Sequence, residues 1–402
     1  MELTREQREW LCLALTPGVG TARFIRLLAR FGTPCRVLAA SRRELSDIVG
    51  PTIADRISAH SKAADLELQE ARIHEYGVAL LTMDDPAYPP QLAEIYDPPL
   101  LLYLRGALLE ADQYAVAIVG TRKASSFGLK MAHKLAYGLA ERGITVVSGL
   151  AEGIDSAAHR GALEAGGRTI AVLAFGHDQV FPASNADLLN AILGQGCAIS
   201  PFPMGMRALK QNFPQRNRVM SGLCLGTVVV EAPPGSGSLI TAKYAAEQGR
   251  EVFAVPGPAG MANSRGPHEL IRDGARLVET VDDIIVELNL PPEMRRAPVR
   301  ETAPAASPRQ VRLDFAGTTP PAAQVIRKAK PPAAPAPVAS SPKYALSKME
   351  QDILGVLHPE GSFVDEIALA CRISISEALS TLTMLELKSV VRQLSGKRFA
   401  PK

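Results

Sequence analysis

From Tyr114 to about Leu290 the chain alternates short, unbroken apolar runs with longer amphipathic stretches. The runs at 115–119, 144–148, 169–174, 197–200, 226–231, 251–255 and 276–278 predict strands. Nearly all are continuous apolar runs, as parallel strands covered on both faces require. Segments at about 126–141, 154–165, 185–193, 216–222, 238–247 and 266–272 predict helices. The spacing fits βα units wound into one α/β sheet. Residues 1–75 carry helical apolar spacing instead, first from Arg5 to Leu15 and again from Thr21, around the tight turn Thr16-Pro17-Gly18-Val19-Gly20. Between Gly77 and Leu109 a proline-rich stretch holds two apolar runs, Val78–Leu81 and Leu100–Leu104, which predict one or two strands laid beside the next domain.

The pattern fails at 291–342, where twelve prolines stand among alanine, serine and arginine. Such a segment cannot build a core and predicts an extended tether. It resumes at 343–402 with a helix capped by Ser347 and ending near Leu357, a second at Val364–Ala370, and a third from Ser374 or Ser376 to Leu387. A strand over Lys388–Leu394 and a return through Gly396-Lys397-Arg398-Phe399 complete a winged-helix pattern, a fold that contacts either DNA or protein. Four regions follow: a helical domain at 1–75, an α/β domain at 76–290, a linker at 291–342 and a winged-helix domain at 343–402.

Charge narrows the chemistry. The 402 residues carry a formal +3, but residues 76–290 hold 17 Lys/Arg against 21 Asp/Glu, while 291–342 hold 8 against 3. An anion surface on the α/β domain is therefore a local cluster and not a basic face. The five cysteines, at 12, 35, 197, 224 and 371, show no metal-ligand or redox spacing and read as reduced core thiols of a cytoplasmic protein. No metal, cofactor, signal peptide or membrane span is expected.

Candidate chemistry gathers at the strand ends. Arg122 follows the strand in Ala117-Ile118-Val119-Gly120-Thr121-Arg122, where an open α/β sheet keeps its ligand, with Lys123 next to it. Arg122 stands where a dinucleotide fingerprint would keep a glycine, which argues against NAD. In Asn212-Phe213-Pro214-Gln215-Arg216-Asn217-Arg218 two arginines bracket an asparagine, offering multi-donor forks to phosphate. Glu231-Ala232-Pro233-Pro234-Gly235-Ser236-Gly237-Ser238-Leu239-Ile240-Thr241 opens a helix with small residues. Ser236, Gly237, Ser238 and Thr241, with Gly120 and Thr121, make an anion cradle that lacks the lysine of a nucleoside-triphosphate loop. In Ser148-Gly149-Leu150-Ala151-Glu152-Gly153-Ile154-Asp155, Asp155 is either a helix cap or, with His159, an acid–base pair. Phe181, in Phe181-Pro182-Ala183-Ser184-Asn185, is either a stacking platform for a base or an apolar plug. The helix, Gly-x-Gly turn and helix of the N-terminal region fit either a helix-hairpin-helix or SAM-like backbone-phosphate module or a plain packing unit. No complete nucleophile, base and metal set appears, so no catalytic residue is expected. The residues point to a polyanion-binding module, the alternative being a nucleotide-binding sensor or a nucleotide or nucleoside-phosphate hydrolase using Asp155 or Glu231.

Taken in order, Val119–Arg122, Ser148–His159, Gly167–Leu173, Phe213–Arg218, Ser236–Ala242 and Gly249–Gly257 resemble the DNA-processing family DprA, also called Smf. The resemblance covers nearly the whole chain. It implies an extended Rossmann-like, mostly parallel sheet, with a small helical N-terminal domain and a C-terminal winged helix. It also implies a non-enzymatic homodimer that binds single-stranded DNA taken up in natural transformation, protects it and loads the recombinase RecA against single-strand-binding protein. By motif, the family's strand-end arginine falls on Arg122, its paired arginines on Arg216 and Arg218, and its Tyr-Pro-x-x-Asn loop on Phe181 to Asn185; Lys123, Gly149 and Asn217 complete the expected DNA contacts. Two departures stand out: Ala183 where several relatives carry a DNA-contacting lysine, and Ser200-Pro201 where the family often has Ser-Glu.

Overall fold

The computed structural model describes residues 3–60, 64–295, 348–358, 362–371, 373, 378, 381, 382, 385, 390–394 and 398–401. They form two units, one holding the N-terminal helices and a large sheet, the other the C-terminal elements.

The N-terminal helices are α1 (Arg5–Leu15), α2 (Thr21–Phe31), α3 (Pro34–Ala39), α4 (Arg42–Val49), α5 (Pro51–His60) and α6 (Ala64–Glu75). Capping boxes start α1 at Thr4 with Gln7 and α4 at Ser41 with Glu44. The single tryptophan, Trp10, stacks on Phe24 with ring centroids 4.5 Å apart, pinning α1 to α2. Between them Gly18 has φ +92°, and a Cβ there would meet Ile53 Cδ1 at 2.5 Å. The turn's close approach is thus made to α5, while Arg56 and Arg23 donate to the carbonyls of Pro17 and Gly18.

The sheet contains β1 (Ala79–Thr82), β2 (Leu101–Gly106), β3 (Ala115–Val119), β4 (Thr145–Ser148), β5 (Thr169–Val172), β6 (Cys197–Ser200), β7 (Gly226–Val229), β8 (Glu251–Ala254) and β9 (Arg276–Leu277). Their order is β1-β2-β6-β5-β4-β3-β7-β8-β9. From β6 to β9 every pairing is parallel; β2 adds antiparallel to β6 and β1 antiparallel to β2. The stretch β5-β4-β3-β7-β8-β9 reproduces the doubly wound dinucleotide-fold order, with its switch point between β3 and β7. Each strand predicted from 115 onward is present, and the two upstream apolar runs became β1 and β2.

Helices α7 (Pro90–Ala93), α8 (Ser126–Glu141), α9 (Ile154–Glu164), α10 (Ala186–Gln195), α11 (Asn212–Gly222), α12 (Gly237–Glu247), α13 (Ala262–Arg272), α14 (Val281–Glu287) and α15 (Pro292–Arg295) connect and cover the strands. Val116 and Ile118 of β3 face a core closed by α8, α9 and α14, whereas Ala115, Ala117 and Val119 face one closed by α11 and α12. Two predicted boundaries move. Helix α11 begins at Asn212, four residues before the expected start, so the whole arginine-bearing run is helical. Residues 292–295, expected as part of the linker, form α15, and Met294 packs on the sheet core.

The second unit has α16 (Lys348–Val356), β10 (Ser362–Phe363), α17 (Val364–Cys371), β11 (Val391–Leu394) and β12 (Arg398–Pro401), with antiparallel strand order β10-β12-β11. Ile353, Ile367, Ala378, Leu382, Leu385, Val391 and Phe399 form its core. The expected hairpin gains β10 as a third strand. Ser347, most of the third predicted helix and the tether from 296 onward lie outside the described residues. Among the described residues no helix is long and apolar enough to cross a membrane.

Candidate nucleic-acid interface

The loops leaving β3, β4 and β7 meet at the switch point and are tied together through the backbone. Thr121 N donates to Glu231 O (2.7 Å), and Ile154 N to Thr121 O (3.3 Å). Glu231, at the end of β7, reaches across and accepts from Ser125 N (2.9 Å), Ser125 Oγ and Asn263 Nδ2 (3.2 Å). The carboxylate thus caps the start of α8 and braces the loop carrying Arg122.

A crevice of about 350 Å³ opens above these loops. It is lined by Gly120, Thr121, Arg122 and Lys123 from the β3 loop, Ala151 and Asp155 from the β4 side, Phe213, Arg216 and Asn217 from α11, and Ser236, Gly237, Ser238 and Thr241 at the start of α12. All six residues of the expected anion cradle therefore meet in one place. A second hollow of about 210 Å³ shares Arg122, Ala151 and Phe213 with the first and adds Gly149, Phe175, Phe181 and Pro182.

Phe213 links the two. Its ring takes the guanidinium of Arg122 at 5.3 Å and that of Arg216 at 5.8 Å from the centroid. Phe181 meets it edge-on at 6.3 Å and remains 43% exposed. Arg122 and Lys123 are exposed at the rim. An exposed cation fixed on an aromatic face, beside a second exposed ring, can bind phosphate and stack a base at once.

Of the remaining expected contacts, Arg216 and Asn217 line the crevice and Gly149 the hollow, but each is buried and engaged within the protein. Arg216 is 5% exposed; Nη1 donates to Val172 O (2.8 Å), and the charge faces the buried carboxyl of Asp155. Burial lowers the Arg216 pKa, and burial raises that of Asp155 against the pull of Arg216 and of the Gly149 and Ala151 amides. Gly149 is buried, its N–H donating to Asp155 Oδ2 (3.1 Å). Asn217 Nδ2 donates to Gly237 O (3.1 Å) and ties α11 to α12. Asn185, also buried, donates to Leu150 O (2.8 Å) and Ser156 Oγ (2.9 Å). Leu150 has φ +58°, a left-handed conformation that costs a branched residue about 1–2 kcal/mol, and Asn185 holds it there. Arg218 leaves the set altogether: two residues along a helix from Arg216, it turns to another face and pairs with Asp97 and Tyr96 O.

His159 is no partner of Asp155. Its Nδ1 bonds Thr169 Oγ1 (2.7 Å), whose own proton goes to Val146 O (2.8 Å). The imidazole is therefore the neutral Nδ1–H form, and burial holds its pKa down to about 3. Asp155 is a structural counter-charge for Arg216. Ala183 is exposed on a short 3-10 turn beside Phe181, so at this turn the basic group nearest Phe181's ring partner is Arg122. Ser200 donates to Phe175 O (2.7 Å); nothing in the structure explains Pro201. Among the described residues no group of three His, Cys, Asp or Glu side chains could hold a metal ion.

Strand order and crevice define a doubly wound, Rossmann-like α/β protein with a crevice at the switch point, and the chain also carries a winged-helix unit. The family described as DNA recombination-mediator protein A matches residues 79–289, and the DprA winged helix domain matches residues 329–397. The chain belongs to the DprA/Smf family. Protein Smf of Synechocystis sp. is 33% identical over 402 residues, spanning 98% of both chains. DNA processing protein DprA of Streptococcus pneumoniae is 45% identical over 203 residues, covering 50% of this chain and 72% of that one. The X-ray structure of the S. pneumoniae protein superposes with a TM-score of 0.62 at 34% identity, over 72% of this chain and 100% of that one.

Proposed function

We propose that this protein binds single-stranded DNA at the switch-point crevice and acts as a recombination mediator that protects the strand and loads RecA on it, during natural transformation or recombination. The observation that carries the reading is the exposed Arg122 guanidinium, seated on Phe213 next to the exposed Phe181 ring. Stacking on Phe181 requires an unpaired base, and a guanidinium at the rim suits backbone phosphate, so a single strand fits where a duplex does not. Lys123 adds charge at the same rim, while the buried Arg216, Asn217, Gly149 and Asn185 hold the site in shape. The family's description as a DNA recombination mediator supports the second half of the reading.

The protein acts as a homodimer in the cytoplasm. Two small sites related by a two-fold axis engage one strand at high effective concentration, which a net-acidic domain with one short cluster needs. The five unpaired cysteines suit a reducing compartment.

Titration of single-stranded and duplex DNA tests the binding. The parent should prefer the single strand, with affinity falling as salt rises. Filament formation by the matching RecA on DNA coated with single-strand-binding protein tests the loading; no acceleration would reject loading and leave binding intact. Light scattering showing only monomers, alone and with a long strand, would reject the dimer. Tight binding of a free nucleotide with no binding of DNA would favour a nucleotide sensor or hydrolase instead.

A further inference from the structure

Two donors beneath the crevice have no partner. Thr241 is 1% exposed, lines the crevice, and its Oγ1 makes no hydrogen bond. A helical threonine ordinarily donates to the carbonyl four residues back. Here that carbonyl, Gly237 O, receives Asn217 Nδ2. Arg216, buried against the same crevice, uses Nη1 on Val172 O while its Nε–H is unpaired. Buried donors are rarely left unmade without a reason. Both lie by the start of α12, an eleven-residue helix whose dipole favours an anion; Ser236 already accepts from Ser238 N through Oγ (3.4 Å) and from Leu239 N through its carbonyl (3.1 Å).

We infer that the floor of this crevice is a phosphomonoester site, taking the terminal 5′-phosphate of a nucleotide, whether at the end of a DNA strand or free. The inference rests on the nucleic-acid reading above and adds a preference for strand ends to it. Asp155 also lines the crevice, but its charge is matched by Arg216, leaving the positive end of the α12 dipole, Thr241, Arg122 and Lys123 for the ligand. An internal phosphodiester has one charge and must leave the site in two directions. A terminal phosphate has nearly two charges and a third free oxygen, and leaves in one. Three loops wall the crevice, and it continues into the Phe181 hollow, shared through Arg122, Ala151 and Phe213. A phosphate on the floor would send its own sugar past Arg122 and its base towards Phe181.

The test is fluorescence anisotropy of the full chain with oligonucleotides of about ten nucleotides, a length within one binding-site span, carrying 5′-phosphate, 5′-hydroxyl or 3′-phosphate. The 5′-phosphate strand should bind about tenfold tighter than the 5′-hydroxyl strand, the worth of one charge-assisted hydrogen bond. Thr241→Val should erase that advantage while raising the unliganded melting temperature, because an unpaired buried hydroxyl is removed. Thr241→Ser should keep the advantage, which separates the hydroxyl from packing. Competition by a deoxynucleoside 5′-monophosphate, but not by the nucleoside, would assign the site to free nucleotides as well as ends; competition by neither, with a 5′-phosphate advantage present, would restrict it to ends. Equal affinity of the three strands, or an advantage that survives Thr241→Val, overturns the inference. If Arg122→Ala weakens binding while the terminal phosphate has no effect, only this inference falls; if the parent binds no strand, the broader reading falls with it.

Discussion

The guanidinium of Arg216 occupies the place where a side chain on residue 149 would stand: a Cβ on Gly149 would overlap Nη1 and the guanidinium carbon. Neither group is at the surface, yet the rim depends on both. Arg216 supports one face of Phe213, and Phe213 carries Arg122 on its ring. Gly149→Ala should expel Arg216 from its pocket and leave Asp155 uncompensated. The combined overpacking and loss of a buried counter-charge should cost roughly 3 kcal/mol or more. Denaturant melts of the variant, read beside single-strand affinity, check this; a variant as stable as the parent would show that the guanidinium has another place to go.

Arg122 and Arg218 should behave as opposites. Arg122→Ala should weaken single-strand binding about tenfold, by similar factors for unrelated sequences, and lower the salt slope by about one. Arg218→Ala removes a partly exposed pair with Asp97 on another face of α11, and should leave affinity within about twofold and stability within about 1 kcal/mol. Equal losses from the two variants would mean that the strand runs over the Arg218 face.

The two rings separate by kind of effect. Phe181→Ala should remove a stacking surface at a cost of about 1–3 kcal/mol in binding, with little change in stability, since the ring is largely exposed. Phe213→Ala should lower both, because its ring contacts both Arg122 and Arg216. Phe213→Leu should recover more of the stability than of the affinity.

Acid should unfold the domain early. Burial holds His159 at about 3 and His177 at about 4, against about 6.5 in an unfolded chain. The unfolded chain therefore binds more protons below pH 6.5. The stabilisation is complete above that value and is lost as pH falls, down to about 4 for His177 and about 3 for His159, at up to about 1.4 kcal/mol per pH unit for each. Asp155, with its pKa raised by burial, acts with the opposite sign. Urea melts between pH 7 and 4 should show the slope, and His177→Gln should reduce it to about half.

The sheet was legible because its strands are buried on both faces, so Ala115–Val119 stands out as an unbroken apolar run. The cradle was legible because small residues before a helix have few other uses than turns and anions. The roles of the arginines were not. Reading Arg216 and Arg218 as a bracket overlooks that α11 already runs from Asn212, and positions two apart on a helix face different ways. Asn185 was expected at the DNA; its burial depends on Leu150, 35 residues away, whose left-handed backbone has no local signature. Helix α15 was hidden by its own prolines, and β10 by having two residues.

Strand β2 has no solvent face. Leu102 and Leu104 enter the core shared with α11, while Leu101 and Tyr103 enter the one built by the N-terminal helices, together with Leu80 of β1. The helices are thus the outer wall of a strand that the sheet cannot do without. A lineage shedding the first 75 residues would have to recolour Leu80, Leu101 and Tyr103 as polar, or recruit another cover, before the shortened gene made a well-behaved product. The helical segment is inherited with those three side chains or not at all.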